Sequence, residues 1–192
     1  MKEKEQLVGF DAHDYCPFVR EKTEQALCKL LKEFKPKKVL EIGTFLGYSE
    51  GVILENLTDC EVVTVEKDEQ NAQNACKNLQ QFSQRVKVVN ADAFDFLTKN
   101  EDVFVFIFLD GAKGQYYKYL PYLDSALKVG GVLVADDVLF YGLVNSKEKI
   151  KHKHRSIVNN LRKFLDVLQN SDVFETEVFD FDDGLSVSIK RK

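Results

Sequence analysis

A chain of 192 residues with 44% apolar and 30% charged side chains has the makeup of a globular protein with one sizeable core. Its formal net charge of −4 excludes a global attraction to nucleic acid, so any such partner must be met by a local basic patch. The charged start, Met1-Lys2-Glu3-Lys4-Glu5-Gln6, leads to no long apolar run, which argues against a signal peptide and a membrane span. The cysteines Cys16, Cys28, Cys60 and Cys76 form no C-x-x-C pair, which points away from structural zinc and a disulfide framework. Reduced thiols in a cytoplasmic protein are the expectation.

Taken in order, residues 1 to 17 are polar and read as an arm or short helix. From Phe18 to Phe34, Val19, Ala26, Leu27, Leu30 and Leu31 recur at helical spacing, and Pro36 stops the helix. A strand is predicted at Lys38 to Ile42, a helix at Ser49 to Leu57 and a strand at Glu61 to Glu66. A helix from Asp68 to Phe82 has Asp68 as its N-cap. Val86 to Val89 is a strand and Phe94 to Thr98 a short helix. Val103 to Leu109 is a continuous apolar run, as in a central strand buried on both faces. Tyr116 to Leu127 reads as a helix and Gly131 to Ala135 as a strand. A basic loop spans 139 to 155, with a helix from Arg155 to Leu168. Two closing strands, Val173 to Val178 and Leu185 to Ile189, are joined through Asp182-Asp183-Gly184. Strands alternating with helices imply a parallel sheet in a single α/β domain over residues 1–192.

The stretch that organises this chain is Val39-Leu40-Glu41-Ile42-Gly43-Thr44-Phe45-Leu46-Gly47-Tyr48-Ser49. A strand that ends in a glycine turn and feeds a helix opens a nucleotide-binding α/β sheet, whose ligands lie beyond the carboxyl ends of the strands. The Gly43/Gly47 spacing departs from the dinucleotide pattern G-x-G-x-x-G. The Glu41 carboxylate at the strand end disfavours a pyrophosphate and favours a cation, such as the sulfonium and ammonium of S-adenosylmethionine. Glu66, Asp92, Asp110 and the pair Asp136-Asp137 close or closely follow the other parallel strands, so the acids are expected around one cleft. Glu66 lies where a carboxylate accepts from ribose hydroxyls, and Asp92 is placed to meet an adenine amino group. Asp110, Asp136 and Asp137 offer hard oxygen ligands that favour Mg²⁺ over zinc. Lys113 could position a substrate or, with a depressed pKa, act as general base.

The constellation Glu41-Ile-Gly43-Thr-x-x-Gly47-Tyr48-Ser49, Asp110-x-x-Lys113-x-x-Tyr116, Asp136-Asp137 and Asp183-Gly184-Leu185 resembles the metal-dependent O-methyltransferases of the catechol and caffeoyl-CoA type. The resemblance runs from about Lys35 to the C-terminus. It implies a Rossmann-like S-adenosylmethionine-dependent methyltransferase fold, with a seven-stranded, mostly parallel sheet whose last strand is antiparallel. By resemblance, Gly43, Phe45 and Ser49 hold the methionine part of the cofactor, Glu66 the ribose, and Asp92 with Ala93 the adenine, with Glu41 and Asp110 also on the cofactor side. Asp110, Asp136 and Asp137 hold the metal, Mg²⁺ or another divalent cation, and Lys113 with Asp110 carries the chemistry. The family usually has Asp-Asn where this chain has Asp136-Asp137, which leaves the third ligand open.

Leu109-Asp110-Gly111-Ala112-Lys113-Gly114-Gln115-Tyr116, Asp137 to Gly142 and His154-Arg155-Ser156-Ile157-Val158 look like the bacterial branch that methylates 5-hydroxyuridine in tRNA. That likeness implies methylation of the 5-hydroxyl at the wobble position of the anticodon stem-loop, and suggests a homodimer with no membrane partner. Lys147, Lys149, Lys151, Lys153 and Arg155 fall within nine positions, and Lys151, Lys153 and Arg155 are the candidate phosphate contacts. The alternatives are an O-methyltransferase of small catechol-like phenols, a nucleotide-binding module without catalysis, and an NAD oxidoreductase. The last is disfavoured by the glycine spacing.

Overall fold

Seven strands form one sheet in the order β3-β2-β1-β4-β5-β7-β6. The structure is a computed structural model that describes residues 3–11 and 17–192. Contacts divide the chain into two compact units, one ending at Lys99 and the other starting at Asn100.

In the first unit, β1 (Lys38–Ile42), β2 (Glu61–Glu66) and β3 (Val86–Asn90) pair in parallel, with Val39 opposite Val62 and Val62 opposite Val86. The helices are α1 (Glu21–Phe34), α2 (Tyr48–Asn56), α3 (Glu69–Asn78) and α4 (Ala93–Lys99). Helix α1 starts three residues later than its apolar pattern predicts. Arg20 is extended at φ −81° and ψ 165° and serves as the N-cap, while the buried Val19 before it gives its carbonyl to Lys4 Nζ at 2.8 Å. The helix ends at Lys35 in a left-handed conformation, with Pro36 behind it. Asp68 caps α3 through Asn71 N–H at 2.8 Å, as expected. The predicted helix to Phe82 breaks after Asn78 and resumes as a 3₁₀ turn over Gln80–Phe82. The Asn78 side chain is occupied elsewhere, holding Val8 and the Leu46 carbonyl. The polar start includes a 3₁₀ turn at Lys4–Gln6, while Met1, Lys2 and residues 12–16, Cys16 among them, lie outside the described residues. Cys28, Cys60 and Cys76 are free thiols.

In the second unit, β4 (Phe104–Leu109) and β5 (Leu127–Ala135) are parallel. β7 (Leu185–Lys190) runs antiparallel to both β5 and β6 (Phe174–Phe179). The sheet is therefore mostly parallel with an antiparallel last strand, as the resemblance implies. Phe104, Phe106, Ile107, Phe108 and Leu109 are sealed from solvent, and each such side chain stabilises the fold by about 1.5–3 kcal/mol. β5 begins at Leu127 and not Gly131, and its pairing with β4 shifts register between Phe104 and Phe106. α5 (Tyr116–Ala126) and α6 (His152–Gln169) complete the unit. Val158, Leu161, Phe164, Leu165 and Leu168 form the buried stripe of α6. This helix starts three residues before the predicted Arg155, so the end of the basic loop belongs to its first turn. Among the described residues no helix is long and apolar enough to cross a membrane.

Candidate active site

The glycine turn is built on three left-handed residues. Gly43 (φ 104°) ends β1, Phe45 (φ 48°) sits in the turn, and Gly47 (φ 85°) precedes α2. A Cβ on Gly47 would also come within 2.9 Å of Leu79, so side chains are excluded twice over. Phe45 has no such freedom, and its backbone is held by a hydrogen bond from its N–H to Glu66 Oε2 at 2.8 Å. The other oxygen of Glu66 accepts from Asp68 N–H at 2.8 Å. The carboxylate predicted at the ribose is thus fixed by two backbone donors and tied directly to the turn.

Beneath the turn lies a polar cluster that the sequence pattern hides. Glu41 and Glu50 are both 0% exposed. Ser49 Oγ donates to Glu41 Oε1, Thr64 Oγ1 donates to Glu50 Oε1, and the Thr44 and Thr64 hydroxyls are 2.5 Å apart. Burial, only partly offset by the hydrogen bonds from Thr64, its own backbone, Glu41 and Ser49, pushes the Glu50 carboxyl up to about 7. Glu41 was expected to aim its charge at a ligand. It is instead enclosed, and its contact with Ser49 is its route to the turn. Glu50 escaped sequence reading because it stands in a helix whose other inner positions are apolar or small.

The N-terminal segment packs on this turn. Phe18 meets Phe45 edge-on at 5.3 Å and Tyr48 at 5.6 Å, while Lys4 Nζ lies 4.5 Å from the Tyr48 ring centre. Asp92 accepts from Phe94 N–H at 2.9 Å at the start of α4 and meets Lys67 Nζ at 3.0 Å. The Lys67 hydrogen bond is the main cause holding the Asp92 carboxyl below its ordinary range. Ala93 begins α4 beside it.

In the second unit Asp110 and Asp137 meet at one lysine. Lys113 Nζ stands 2.8 Å from Asp110 Oδ1 and 3.1 Å from Asp137 Oδ2. Asp136, 3% exposed, accepts Asp137 N–H at 2.8 Å through Oδ1. Burial first, then the charges of Asp110 and Asp137, push the Asp136 carboxyl up to about 7. Burial alone would depress Lys113, but Tyr116, Asp110 and Asp137 outweigh it and hold the ammonium well above its ordinary range. Lys113 thus forms an ion pair with a carboxylate on either side, Asp110 and Asp137. Among the described residues no group of three or more side chains is arranged as a metal cage.

Tyr116 appeared in the sequence motif without a role. Its buried hydroxyl lies 3.0 Å from the Leu109 carbonyl and 3.3 Å from that of Asp136, joining the ends of β4 and β5. Asp137 has φ 54°, a conformation that Asn and Asp adopt more readily than most residues. The backbone at this point suits this chain's Asp, and would equally suit the Asn that the resemblance implies.

The loop after β5 continues with Phe140 (φ 46°), Tyr141 (φ 57°) and Gly142 (φ 70°). Asp183 Oδ1 accepts Tyr141 N–H at 2.5 Å, and the Asp183 and Gly184 carbonyls accept from Leu139 and Val138. A Cβ on Gly184 would lie 2.3 Å from Leu139, which explains the glycine of the Asp-Gly turn. Arg162 of α6 donates to the carbonyls of Val144 at 2.8 Å, Leu143 at 3.2 Å and Ser146 at 2.7 Å. Sequence reading missed Arg162, since its partners are 16 to 19 residues away. Lys147, Lys149, Lys151, Lys153 and Arg155 are all exposed, and α6 starts without a side-chain cap.

A family model described as O-methyltransferase matches residues 4–191. The chain is 25% identical over 171 residues to a caffeoyl-CoA O-methyltransferase of Populus kitakamiensis, covering 84% of this chain and 73% of that protein. It is 26% identical over 164 residues to a flavonoid 3',5'-methyltransferase of Vitis vinifera, covering 77% and 70%. A crystal structure of the O-methyltransferase from Bacillus cereus in complex with SAH superposes with a TM-score of 0.80 at 25% identity, covering 94% and 84%.

Proposed function

The chain belongs to the O-methyltransferase family, and we propose that it moves a methyl group from S-adenosylmethionine to the 5-hydroxyl of 5-hydroxyuridine at the wobble position of a tRNA anticodon loop. The observation that carries the RNA acceptor is the exposed basic segment Lys147 to Arg155, which runs into the uncapped start of α6. Cations at a helix N-terminus oppose the helix dipole, so this placement costs local stability and favours an anionic ligand. The likeness of Leu109–Tyr116 and Asp137–Gly142 to the tRNA-modifying branch supports the same acceptor.

In this reading Gly43, Phe45 and Ser49 take the methionine part of the donor, with Glu41 acting by fixing the Ser49 hydroxyl. Glu66 keeps acceptor capacity on both oxygens after its two backbone bonds, and it receives the ribose hydroxyls. Asp92 and Ala93 take the adenine. The Lys113 ammonium favours ionisation of the acceptor hydroxyl, and Asp110 and Asp137 hold that cation in place. The oxygen then attacks the methyl carbon as the carbon–sulfur bond breaks, and the hydroxyl proton leaves to the surrounding carboxylates. Correct alignment supplies much of the rate.

Asp110, Asp136 and Asp137 supply the oxygen donors that a hard divalent cation such as Mg²⁺ takes, and the charges of Asp110 and Asp137 beside Asp136 are what such a cation would offset, although as they stand the three do not form a cage. When bound, such an ion would acidify a coordinated hydroxyl.

A second reading, a catechol-like phenol as acceptor, is favoured by the phenolic substrates in the names of the plant relatives. The purified chain, given methyl-labelled donor with either a 5-hydroxyuridine stem-loop or a catechol, separates the two. Label in the RNA as 5-methoxyuridine is the expected result, and label only in the catechol would replace the first reading with the second.

A further inference from the structure

We infer that Tyr141 is the residue that stacks on the acceptor's aromatic ring, with Asp183 and Arg162 as positioning residues that hold its loop. The inference rests on the reading above only in requiring a hydroxylated aromatic ring, which a nucleobase and a phenol share.

Tyr141 is 67% exposed, a large ring turned to solvent four residues after Asp137. It is not loosely attached. Phe140 and Tyr141 are consecutive left-handed residues without a glycine's freedom, and such strain persists only where the surroundings impose it. The constraint comes from both sides. Asp183 takes the Tyr141 N–H and, through its carbonyl, that of Leu139. Arg162 gathers three carbonyls between Leu143 and Ser146. Between these clamps Phe140 turns its ring to His154, with centres 5.6 Å apart, and also flanks Tyr141 at 5.1 Å. Phe140 is thereby half-buried against His154, while Tyr141 is presented to solvent. A pre-set ring loses little freedom on stacking. The basic segment begins six residues further on, and aromatic platforms beside cations are how single-stranded nucleic acid is gripped.

The test measures KM and kcat for a 5-hydroxyuridine stem-loop and for a catechol, with thermal melts of each variant. Tyr141→Ala raises the acceptor KM roughly tenfold, as expected for one lost stacking contact, and the change falls on KM rather than on kcat. Tyr141→Phe recovers most of the loss, because the ring and not the hydroxyl does the stacking. Asp183→Ala reproduces the KM defect, and Asp183→Asn, which keeps an acceptor oxygen for Tyr141 N–H, relieves it. An unchanged acceptor KM in Tyr141→Ala, a surface change that leaves the core intact, overturns the inference. A folded Asp183→Ala with wild-type KM overturns the positioning role. Turnover of the catechol alone removes the tRNA reading while the Tyr141 comparison still decides, and turnover of neither acceptor overturns both.

Discussion

Phe45 donates its backbone N–H to the Glu66 carboxylate at 2.8 Å, across 21 residues of sequence. The same side chain therefore shapes the glycine turn and faces the proposed ribose. Hydrogen bonds to a charged acceptor contribute about 1.5–3 kcal/mol each. Glu66→Ala is expected to weaken donor binding at least about tenfold, and Glu66→Gln, which keeps one acceptor oxygen, to lose less. Calorimetric titration with S-adenosylmethionine measures both. Unchanged affinity in Glu66→Ala would remove Glu66 from the site.

Asp137 stands at φ 54°. Asn tolerates this conformation and keeps an oxygen at the position, so Asp137→Asn is expected to fold and to retain substantial activity. Asp137→Val adds a branched Cβ where the backbone disfavours it, and should be less stable than Asp137→Asn by roughly 1–2 kcal/mol. Denaturant unfolding compares the two, and equal stability would mean that this backbone conformation is not imposed in solution. An inactive Asp137→Asn that binds donor would assign the second carboxylate a role of its own.

The Glu50 carboxyl titrates near 7, well above its ordinary 4.5, chiefly because it is buried. Between these values the folded protein keeps a proton that the unfolded chain has released. The contribution is fully present below the lower value and is lost as pH rises through the upper one. Stability should fall as pH rises over that interval. Glu50→Gln keeps the hydrogen-bonding shape without the titration, so its advantage over wild type should grow from about pH 5 to about pH 8. Parallel slopes in urea unfolding across that range would rule out Glu50 as the source.

Changing Lys151, Lys153 and Arg155 together to Ala should flatten the salt dependence of stem-loop binding by about 2 units of log–log slope. Donor affinity should be unaffected. Because these cations oppose the dipole of α6, thermal stability should hold or rise. A wild-type slope measured by fluorescence anisotropy would exclude them as phosphate contacts.

The strands were legible because apolar runs and acidic strand ends recur with little ambiguity: β1, β2 and β7 begin where the residue pattern places them. The glycine turn and the Asp110–Lys113 pairing were legible because their spacing is local. What escaped depends on distant partners. Nothing near Glu50 announces that its helix is enclosed, and nothing near Arg162 points to carbonyls of the preceding loop. α6 could not be dated to His152 from its sequence, since it begins without a capping side chain and with cations where acids are usual. The ammonium state of Lys113 depends on how Asp110, Asp137 and Tyr116 surround it, which spacing alone does not settle.

The central claim is methyl transfer to 5-hydroxyuridine in tRNA. Its most direct test is nucleoside mass spectrometry of tRNA from cells with and without this chain. The account expects 5-methoxyuridine to vanish in its absence, 5-hydroxyuridine to accumulate, and wild type but not Asp110→Ala to restore the product. An unchanged nucleoside profile in cells lacking the chain would contradict it.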